Sequence, residues 1–330
     1  YQYANGGWIK NNPLPPEFSR YGSFDVLAEN TLTMLREVVE GIKLDNTQAG
    51  SVAEKTAVFY KTGMDTASIE KDGIKPLLAE LNLINSANDL FQLQNVIARW
   101  HSNGSGLLFK FFSSPDRVNS EMVIANIYQG GIGLTDVDYY ISKDKNSENI
   151  LNEYRKYISK MHILAGYSHS DAEVKASKII QIETRLAQAS MSRLEMRDPH
   201  KTFNKMSLAE LNKRIPEFNW TGFLQITGAP SFDELNVGQP LFFDEINNMM
   251  KEVPLEDWKT YLAWHVINMS AEYLSSEFVI ANFEFYGKFL SGKREIQPRW
   301  KRIIKSADNA MGKLWVNYTR KNTSRLQLKI

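Results

Sequence analysis

Apolar residues recur at helical spacing along most of the chain. The first segment with this pattern contains the apolar residues Phe24, Leu27, Leu32, Leu35, Val38, Val39 and Ile42. This spacing lies close to the 3.6-residue period of an α-helix, and the segment from Asp171 to Ser190 shows the same pattern. Both segments are therefore predicted to be amphipathic helices, each with its apolar face turned towards a core.

Capping signals and long apolar runs support a helical fold. Three Ser-x-x-Glu pairs are predicted to begin helices, namely Ser51 with Glu54, Ser170 with Glu173, and Ser207 with Glu210. The run from Trp258 to Leu290 is apolar and aromatic with few helix breakers. It predicts one or two buried helices.

Two short runs have the composition of strands instead. Leu107–Phe112 and Met122–Tyr128 are rich in β-branched and aromatic residues, and a polar stretch separates them. They predict one small β-hairpin, within a sheet of fewer than four strands. The glycines of Gly130–Gly133 end the second run, and they lack the spacing and the following helix of a phosphate-binding loop.

Proline and glycine mark the segments that are not expected to be helical. Pro13, Pro15 and Pro16 predict an extended path for the N-terminal leader. Gly228–Pro230 and Gly238–Pro240 predict a surface loop between helices.

Composition narrows the class of protein. The chain has 330 residues, of which 43% are hydrophobic, and it contains no cysteine. This is the composition of a globular protein of one large or two smaller domains, and it excludes a disulfide scaffold or a disordered tail. With 39 basic and 38 acidic residues the net charge is +1, which does not favour a nucleic-acid surface. No apolar run approaches the length of about 18 residues that a membrane-spanning helix needs.

The residues alone show no catalytic or metal-binding constellation. None of the five histidines forms the His-Glu-x-x-His pattern of a zinc helix. His162 and His169 are seven residues apart, but Gly166 interrupts the helix between them. There is no Gly-x-Ser-x-Gly motif, and the carboxylates are scattered along predicted helices. We therefore expect no catalytic residue and no metal site in this chain.

Several longer strings follow one another in a recognisable order. They are Tyr3–Trp8, Ser19–Asp25, Gly133–Tyr140, Arg197–Met206, Gly292–Arg302 and Met311–Val316. In this order they resemble the N-terminal half of the neprilysin-like zinc metallopeptidases, peptidase family M13, in particular the bacterial oligopeptidase O branch. The resemblance implies a large helical cap domain, with the motifs around Tyr139, Tyr140, Arg197 and Asp198 in structural roles.

The resemblance also implies what this chain lacks. The family's His-Glu-x-x-His zinc helix, its downstream glutamate ligand and its Asn-Ala-x-Tyr strand have no counterpart here. We therefore interpret residues 1–24 as a leader that contacts a catalytic domain, residues 25–316 as the cap domain and residues 317–330 as a divergent tail. The zinc would belong to the complete enzyme and be held by a C-terminal half, supplied in the same or a second polypeptide.

The resemblance implies that this chain is the N-terminal portion of a zinc endopeptidase that cleaves oligopeptides, and that it encloses the substrate. Alone, this portion is expected to be inactive. The alternative is a non-catalytic domain, derived from the same cap, that binds peptides or another protein. The resemblance implies a periplasmic, envelope-anchored or secreted location, and because the chain begins at Tyr1 without a signal peptide we expect a processed or trimmed product.

Two residues are candidates for substrate binding through this resemblance. Arg20 matches the family arginine that binds the C-terminal carboxylate of short peptides, a task suited to the bidentate guanidinium. A structural role, with Arg20 holding its loop through carbonyl groups, is the alternative. A second family arginine is replaced by Ala28, which weakens carboxylate recognition there. Phe24 matches an aromatic residue near a substrate side-chain pocket, or is the first core residue of its helix.

Overall fold

The chain folds into a mainly helical structure, which we describe for residues 1–312 in a computed structural model. The α-helices in chain order are α1 Gln2–Asn11, α2 Ser23–Glu40, α3 Val52–Met64, α4 Thr66–Asp72, α5 Leu78–Asn85, α6 Leu90–Ser102, α7 Asp138–Ile141, α8 Lys145–Leu164, α9 His169–Ala189, α10 Leu208–Arg214, α11 Trp220–Thr227, α12 Pro240–Glu252, α13 Leu255–Ser270, α14 Ser276–Asn282 and α15, residues 299–312. The mainly α fold class is confirmed. The predicted tail, residues 317–330, lies outside the described residues.

One four-stranded sheet accompanies the helices in the described part of the chain. Its strands are β1 Phe109–Pro115, β2 Val123–Gln129, β3 Lys205–Ser207 and β4 Glu234–Val237. The spatial order is β1-β2-β4-β3, with β2 and β4 parallel and the other two pairs antiparallel. The predicted hairpin is present as β1 and β2. The expectation of fewer than four strands is wrong, because β3 and β4 extend the hairpin.

Two compact units make up the described residues. The first combines Tyr1–Gly73 with the chain from Tyr273 onward, and the second is the continuous segment Ile74–Glu272. The domain boundaries that the sequence suggests at residues 24 and 316 remain predictions. None of the helices in residues 1–312 is both long and apolar enough to cross a membrane.

The core of the first unit joins helices from both ends of the chain. Leu32 and Val39 of α2 and Tyr60 of α3 form a buried cluster with Ile303 and Ile304 of α15. Gly63 permits this approach, since a Cβ there would lie 2.7 Å from the Ile303 side chain. Burial of these side chains stabilises the unit by roughly 1.5–3 kcal/mol for each large aliphatic residue.

The core of the second unit lies between one face of the sheet and the surrounding helices. Phe109 of β1 contacts Phe218, Phe223 and Phe243 with ring centroids 5.3–5.7 Å apart. Helices α8, α9 and α13 pack against one another beside this cluster, with Trp264 of α13 fully buried. This aromatic density gives the unit a rigid centre.

Several local predictions need correction. Helix α9 is capped by Ser168, whose hydroxyl accepts a 3.1 Å hydrogen bond from the Asp171 N–H, so the pair predicted at Ser170 is not the cap. Ser207 with Glu210 forms a complete capping box on α10, as predicted. The leader is not extended throughout, because Gln2–Asn11 is helical.

Two longer segments also differ from their sequence interpretation. The predicted surface loop after Gly228 contains β4, and Leu235 and Val237 of that strand are buried. The run from Trp258 to Leu290 divides into α13, α14 and a π-helix, Phe283–Phe289. In α13 every residue from Trp258 to Ile267 except Thr260 is buried.

Candidate functional site

Arg20 and Phe24 lie on either side of the point where α2 begins. The N–H of Gly22 donates a 2.8 Å hydrogen bond to the Asp25 carboxylate, which fixes the start of the helix at Ser23. A carboxylate in the first turn also interacts favourably with the helix dipole. This turn sets the backbone positions of both candidate residues.

Both candidate side chains are turned to solvent in the described structure. Arg20 is exposed and has no ion pair or hydrogen bond with any residue in 1–312. Phe24 is 85% exposed and Leu27 is 60% exposed. The interpretation of Phe24 as the first core residue is therefore wrong, since the buried face of α2 begins at Leu32. The loop-holding alternative for Arg20 finds no carbonyl partner among these residues.

The leader before Arg20 is held by backbone and aromatic contacts. The carbonyl of Pro16 accepts hydrogen bonds from the N–H groups of Arg294 and Glu295, at 2.9 and 3.1 Å. The rings of Trp8 and Tyr21 stack with centroids 6.4 Å apart. The leader is thus fixed against the stretch that begins at residue 292.

The first unit leaves large apolar side chains exposed near this segment of sequence. Helix α1 buries no residue, and Tyr1 and Tyr3 are 87% and 105% exposed. In the run from Trp258 to Leu290 the exposed apolar residues of the first unit are Tyr273, Ile280 and Phe289, with Ile280 at 50%. Exposed apolar side chains that form a contiguous patch are typical of a surface that another element covers.

A buried carboxylate organises the second unit. Glu183 of α9 has no exposed surface, and its two oxygens accept hydrogen bonds from Tyr140 at 2.6 Å and Tyr154 at 3.1 Å. Nε2 of His265 lies 3.0 Å from the same carboxylate, without the alignment of a hydrogen bond. Burial, followed by the charge of Glu183, raises the pKa of Tyr261 well above its usual value. The cluster fixes helices α7, α8, α9 and α13 together.

The glycine-rich segment after β2 contacts the tyrosines of this cluster. Gly131 has φ of +72° and its carbonyl accepts a 2.7 Å hydrogen bond from the Tyr261 hydroxyl. A Cβ at Gly133 would collide with the Tyr154 hydroxyl. Close approach of two tyrosines therefore explains these glycines, and nucleotide binding is not needed to explain them.

Glu183 is not among the residues that the sequence patterns predict for a site. A signal was available, because Glu183 falls on the same helical face as the buried Ile179 and Leu186. A carboxylate on an otherwise apolar stripe requires a buried polar partner.

The residues of this chain do not fit a zinc site. No three His, Cys, Asp or Glu side chains converge within residues 1–312, and residues 313–330 contain none of these residue types. His162 is buried, its Nδ1 lies 2.9 Å from the Ile158 carbonyl oxygen, and burial lowers its pKa to about 4. His101 is partly buried, with Nε2 2.9 Å from the Leu107 carbonyl oxygen and its ring against Phe109 and Phe223. Both histidines are thus held by contacts within the fold.

Comparison with known proteins places this fold among the peptidases. The profile of Peptidase family M13 matches residues 1–325. Endothelin-converting enzyme 1 of Cavia porcellus is 28% identical over 329 residues, which cover 94% of this chain and 42% of that enzyme. The chain thus spans less than half the length of this relative.

Solved structures agree in fold. The crystal structure of Mycobacterium tuberculosis zinc metalloprotease Zmp1 with an inhibitor matches with a TM-score of 0.89 and 28% identity, over 98% of this chain and 50% of Zmp1. PepO of Lactobacillus rhamnosis matches with a TM-score of 0.78 over 94% of this chain and 49% of PepO, at 16% identity, which supports the fold alone.

Proposed function

Because the chain belongs to peptidase family M13, we propose that it forms the N-terminal, substrate-enclosing portion of a zinc endopeptidase that cleaves oligopeptides. The observation that carries this proposal is the extent of the matches. They cover nearly the whole of this chain but only 42–50% of Cavia porcellus endothelin-converting enzyme 1 and of Zmp1. The catalytic zinc would be held by the remaining part of the enzyme, as a continuation of this chain or as a separate polypeptide.

The exposed apolar side chains of the first unit support the proposal that a second half of the enzyme, in the same or a separate polypeptide, covers them. Tyr1 and Tyr3 in the leader and Phe24 and Leu27 on α2 are exposed far beyond what a helix–core contact leaves. Burying each such side chain against a second domain would contribute roughly 1.5–3 kcal/mol. We propose that this surface faces the zinc-binding half.

Within the complete enzyme, Arg20 is proposed to bind the substrate's C-terminal carboxylate. Its guanidinium has no competing partner among residues 1–312, so its full hydrogen-bonding capacity is available to a ligand. Phe24 is proposed to line a side-chain pocket for the same substrate. A periplasmic, envelope-anchored or secreted location is proposed with this function.

The test is purification of the tagged chain from its source cells, followed by mass spectrometry, zinc analysis and assays with short peptides. We expect a polypeptide with a His-Glu-x-x-His helix, either as a continuation or as a separate chain. Peptide cleavage should accompany it and should stop when a chelator removes the zinc.

A surface variant sharpens this test. Phe24→Ser with Leu27→Ser should weaken association with a separate zinc-binding half, whereas Leu241→Ser, at a 73% exposed position of the second unit, should not. A strictly monomeric chain that binds no hydrophobic dye and has no zinc-binding half would contradict the proposal. That result would favour the non-catalytic peptide- or protein-binding alternative.

A further inference from the structure

The two faces of the four-stranded sheet have different chemistry. Strand register places Phe109, Ile127 and Val237 on the face that packs into the core. The opposite face carries mostly polar and aromatic residues, namely Lys110, Phe112 and Ser114 of β1, Asn126 and Tyr128 of β2, Asn236 of β4 and Lys205 of β3, together with Ile124 of β2. This second face is therefore the more polar of the two faces.

A pocket of about 390 Å³ lies on this second face. Its walls include Phe112 of β1, Tyr128 of β2, Phe203 of the segment before β3, and Arg117 of the turn between β1 and β2. This volume lies within the range of about 300–1,000 Å³ that small-molecule sites occupy. The pocket belongs entirely to the second unit and is separate from Arg20 and Phe24.

The base of the pocket is already satisfied and rigid. The buried Asn126 accepts a 3.0 Å hydrogen bond from Asn236 and donates one of 3.0 Å to Ser114 Oγ. The Tyr128 hydroxyl donates to the Thr202 carbonyl at 3.1 Å. Because these groups are hydrogen-bonded within the protein, they shape the pocket, and a ligand would have to be recognised by other side chains of its wall.

Arg117 keeps unused hydrogen-bonding capacity at the pocket wall. Its Nη1 donates to the Pro199 carbonyl at 2.8 Å and to Thr202 Oγ1 at 3.0 Å, and Nη2 donates to the Tyr128 hydroxyl at 3.3 Å. A guanidinium has five N–H groups, so the Nε–H and one Nη2–H remain. These adjacent nitrogens form the fork that a carboxylate binds through two parallel hydrogen bonds.

The charge of Arg117 is also unbalanced. All three of its acceptors are neutral, and no carboxylate of the described residues lies within ion-pair distance. The neighbouring Asp116 is committed to Lys205 at 2.5 Å and to the Val118 N–H at 2.9 Å. A positive charge without a protein counter-ion therefore borders the pocket.

Aromatic rings complete the recognition surface. Arg117 lies 5.9 Å from the centre of the Phe203 ring, and the Phe112 ring, 5.3 Å from that of Tyr128, is 42% exposed. We propose that this pocket binds a carboxylate carried on a flat apolar group, with Arg117 binding the carboxylate and Phe112 and Phe203 contacting the apolar body. A free aromatic acid and the C-terminal aromatic residue of a peptide share this chemistry.

The proposal is tested by isothermal titration calorimetry of the full chain with three ligands. They are N-acetyl-phenylalanine, N-acetyl-phenylalanine amide, and a tripeptide that ends in phenylalanine. We expect saturable binding of the acid, and binding weaker by about tenfold or more for the neutral amide. If the tripeptide binds more tightly than the acid, the natural ligand is a peptide end, and if it does not bind, a free acid is indicated.

Variants separate binding from folding. Arg117→Gln should weaken binding of the acid about tenfold or more and leave binding of the amide unchanged. Phe112→Ala should weaken binding of both. Arg99→Gln, which also removes one exposed arginine of the second unit, should weaken binding of neither. Arg117→Gln also removes the hydrogen bond to Thr202, so the unfolding midpoint of this variant is measured as well. If Arg117→Gln fails to fold, Phe112→Ala still tests the pocket, because Phe112 is exposed and its replacement should not prevent folding. Equal binding of acid and amide, absence of saturation, or equally tight binding of inorganic phosphate would overturn the proposal.

Discussion

The hydroxyl of Tyr140 donates a 2.6 Å hydrogen bond to Glu183, a carboxylate with no exposed surface. Tyr140 comes from the Gly133–Tyr140 motif and Glu183 from the middle of α9, so this bond ties the motif into the helical core. Tyr140 of this motif therefore has a structural role, which is the role that the family resemblance implies for it.

Replacing Glu183 by Gln should destabilise the second unit. The amide keeps the shape of the side chain but removes the charge that accepts from Tyr140 and Tyr154 and lies beside His265. We expect a loss of about 2–3 kcal/mol in the free energy of unfolding, measured by urea denaturation. Glu148→Gln, at an exposed position of α8, is the control and should change stability by less than about 0.5 kcal/mol. Equal effects would show that the buried charge contributes nothing.

Acid should weaken the fold through His162. Burial lowers the pKa of His162 from 6.5 to about 4 in the folded chain. Between these values the unfolded state binds a proton that the folded state does not, so stability is full above pH 6.5 and is lost as the pH falls towards 4. We expect about 2 kcal/mol of loss between pH 7 and pH 5 from this residue.

The measurement is urea denaturation at both pH values for the natural chain, His162→Phe and His169→Gln. The phenylalanine retains the ring packing against Trp264 but cannot titrate, so its stability should fall less with acid. His169 is exposed, and His169→Gln is the control for removing a histidine from the surface. A His162→Phe variant with the natural acid sensitivity would assign that sensitivity to other groups.

Two glycines with the same backbone handedness should differ in their tolerance of alanine. Gly131 and Gly228 have φ of +72° and +68°, so alanine costs about 1–2 kcal/mol of backbone strain at either position. A Cβ at Gly131 would also collide with the Tyr261 hydroxyl and the Leu108 carbonyl, whereas the space beside Gly228 is open. Gly131→Ala should therefore cost a further 1–3 kcal/mol or so in thermal or urea unfolding. Equal costs would show that the glycine-rich segment relaxes freely.

Within the complete enzyme, Arg20→Ala should discriminate between substrate types. We expect cleavage of peptides with a free C-terminal carboxylate to lose about 1.5–3 kcal/mol in kcat/KM, with a smaller loss for amidated peptides. Arg99→Ala, which removes an arginine paired with Glu80, is the control and should affect neither. Equal losses for both substrate types, or lower stability with unchanged kinetics, would make Arg20 a structural residue.

The sequence predicts what local patterns determine. Helix α2 and the β1–β2 hairpin follow from residue spacing, because each pattern buries its apolar side within one element or one pair of neighbours. Strand β4 escapes prediction because it has four residues, lies between glycine–proline clusters and pairs in parallel with β2, 110 residues away in sequence. Its existence depends on a distant partner that no local window contains.

The candidate site is predictable only in part. Arg20 and Phe24 come from the family resemblance, and spacing alone would place Phe24 in the core, where the structure does not find it. Glu183 could be suspected from its position on an apolar face. Arg117 could not, because its importance depends on Pro199 and Thr202, which the fold brings to it from more than 80 residues away.

The division of the first unit between the two ends of the chain has a consequence for biosynthesis. Leu32, Val39 and Tyr60 leave the ribosome early, but their core neighbours Ile303 and Ile304 emerge only after the whole of Ile74–Glu272. At about 5–20 residues per second, the early helices wait on the order of 10–50 seconds for their partners. We therefore expect the second unit to fold first on the ribosome, with α2 and α3 dependent on chaperones in the interval. Limited proteolysis of stalled nascent chains that end near residue 312, with their last residues still inside the ribosome, would reveal a protected Ile74–Glu272 and a cleavable N-terminal segment.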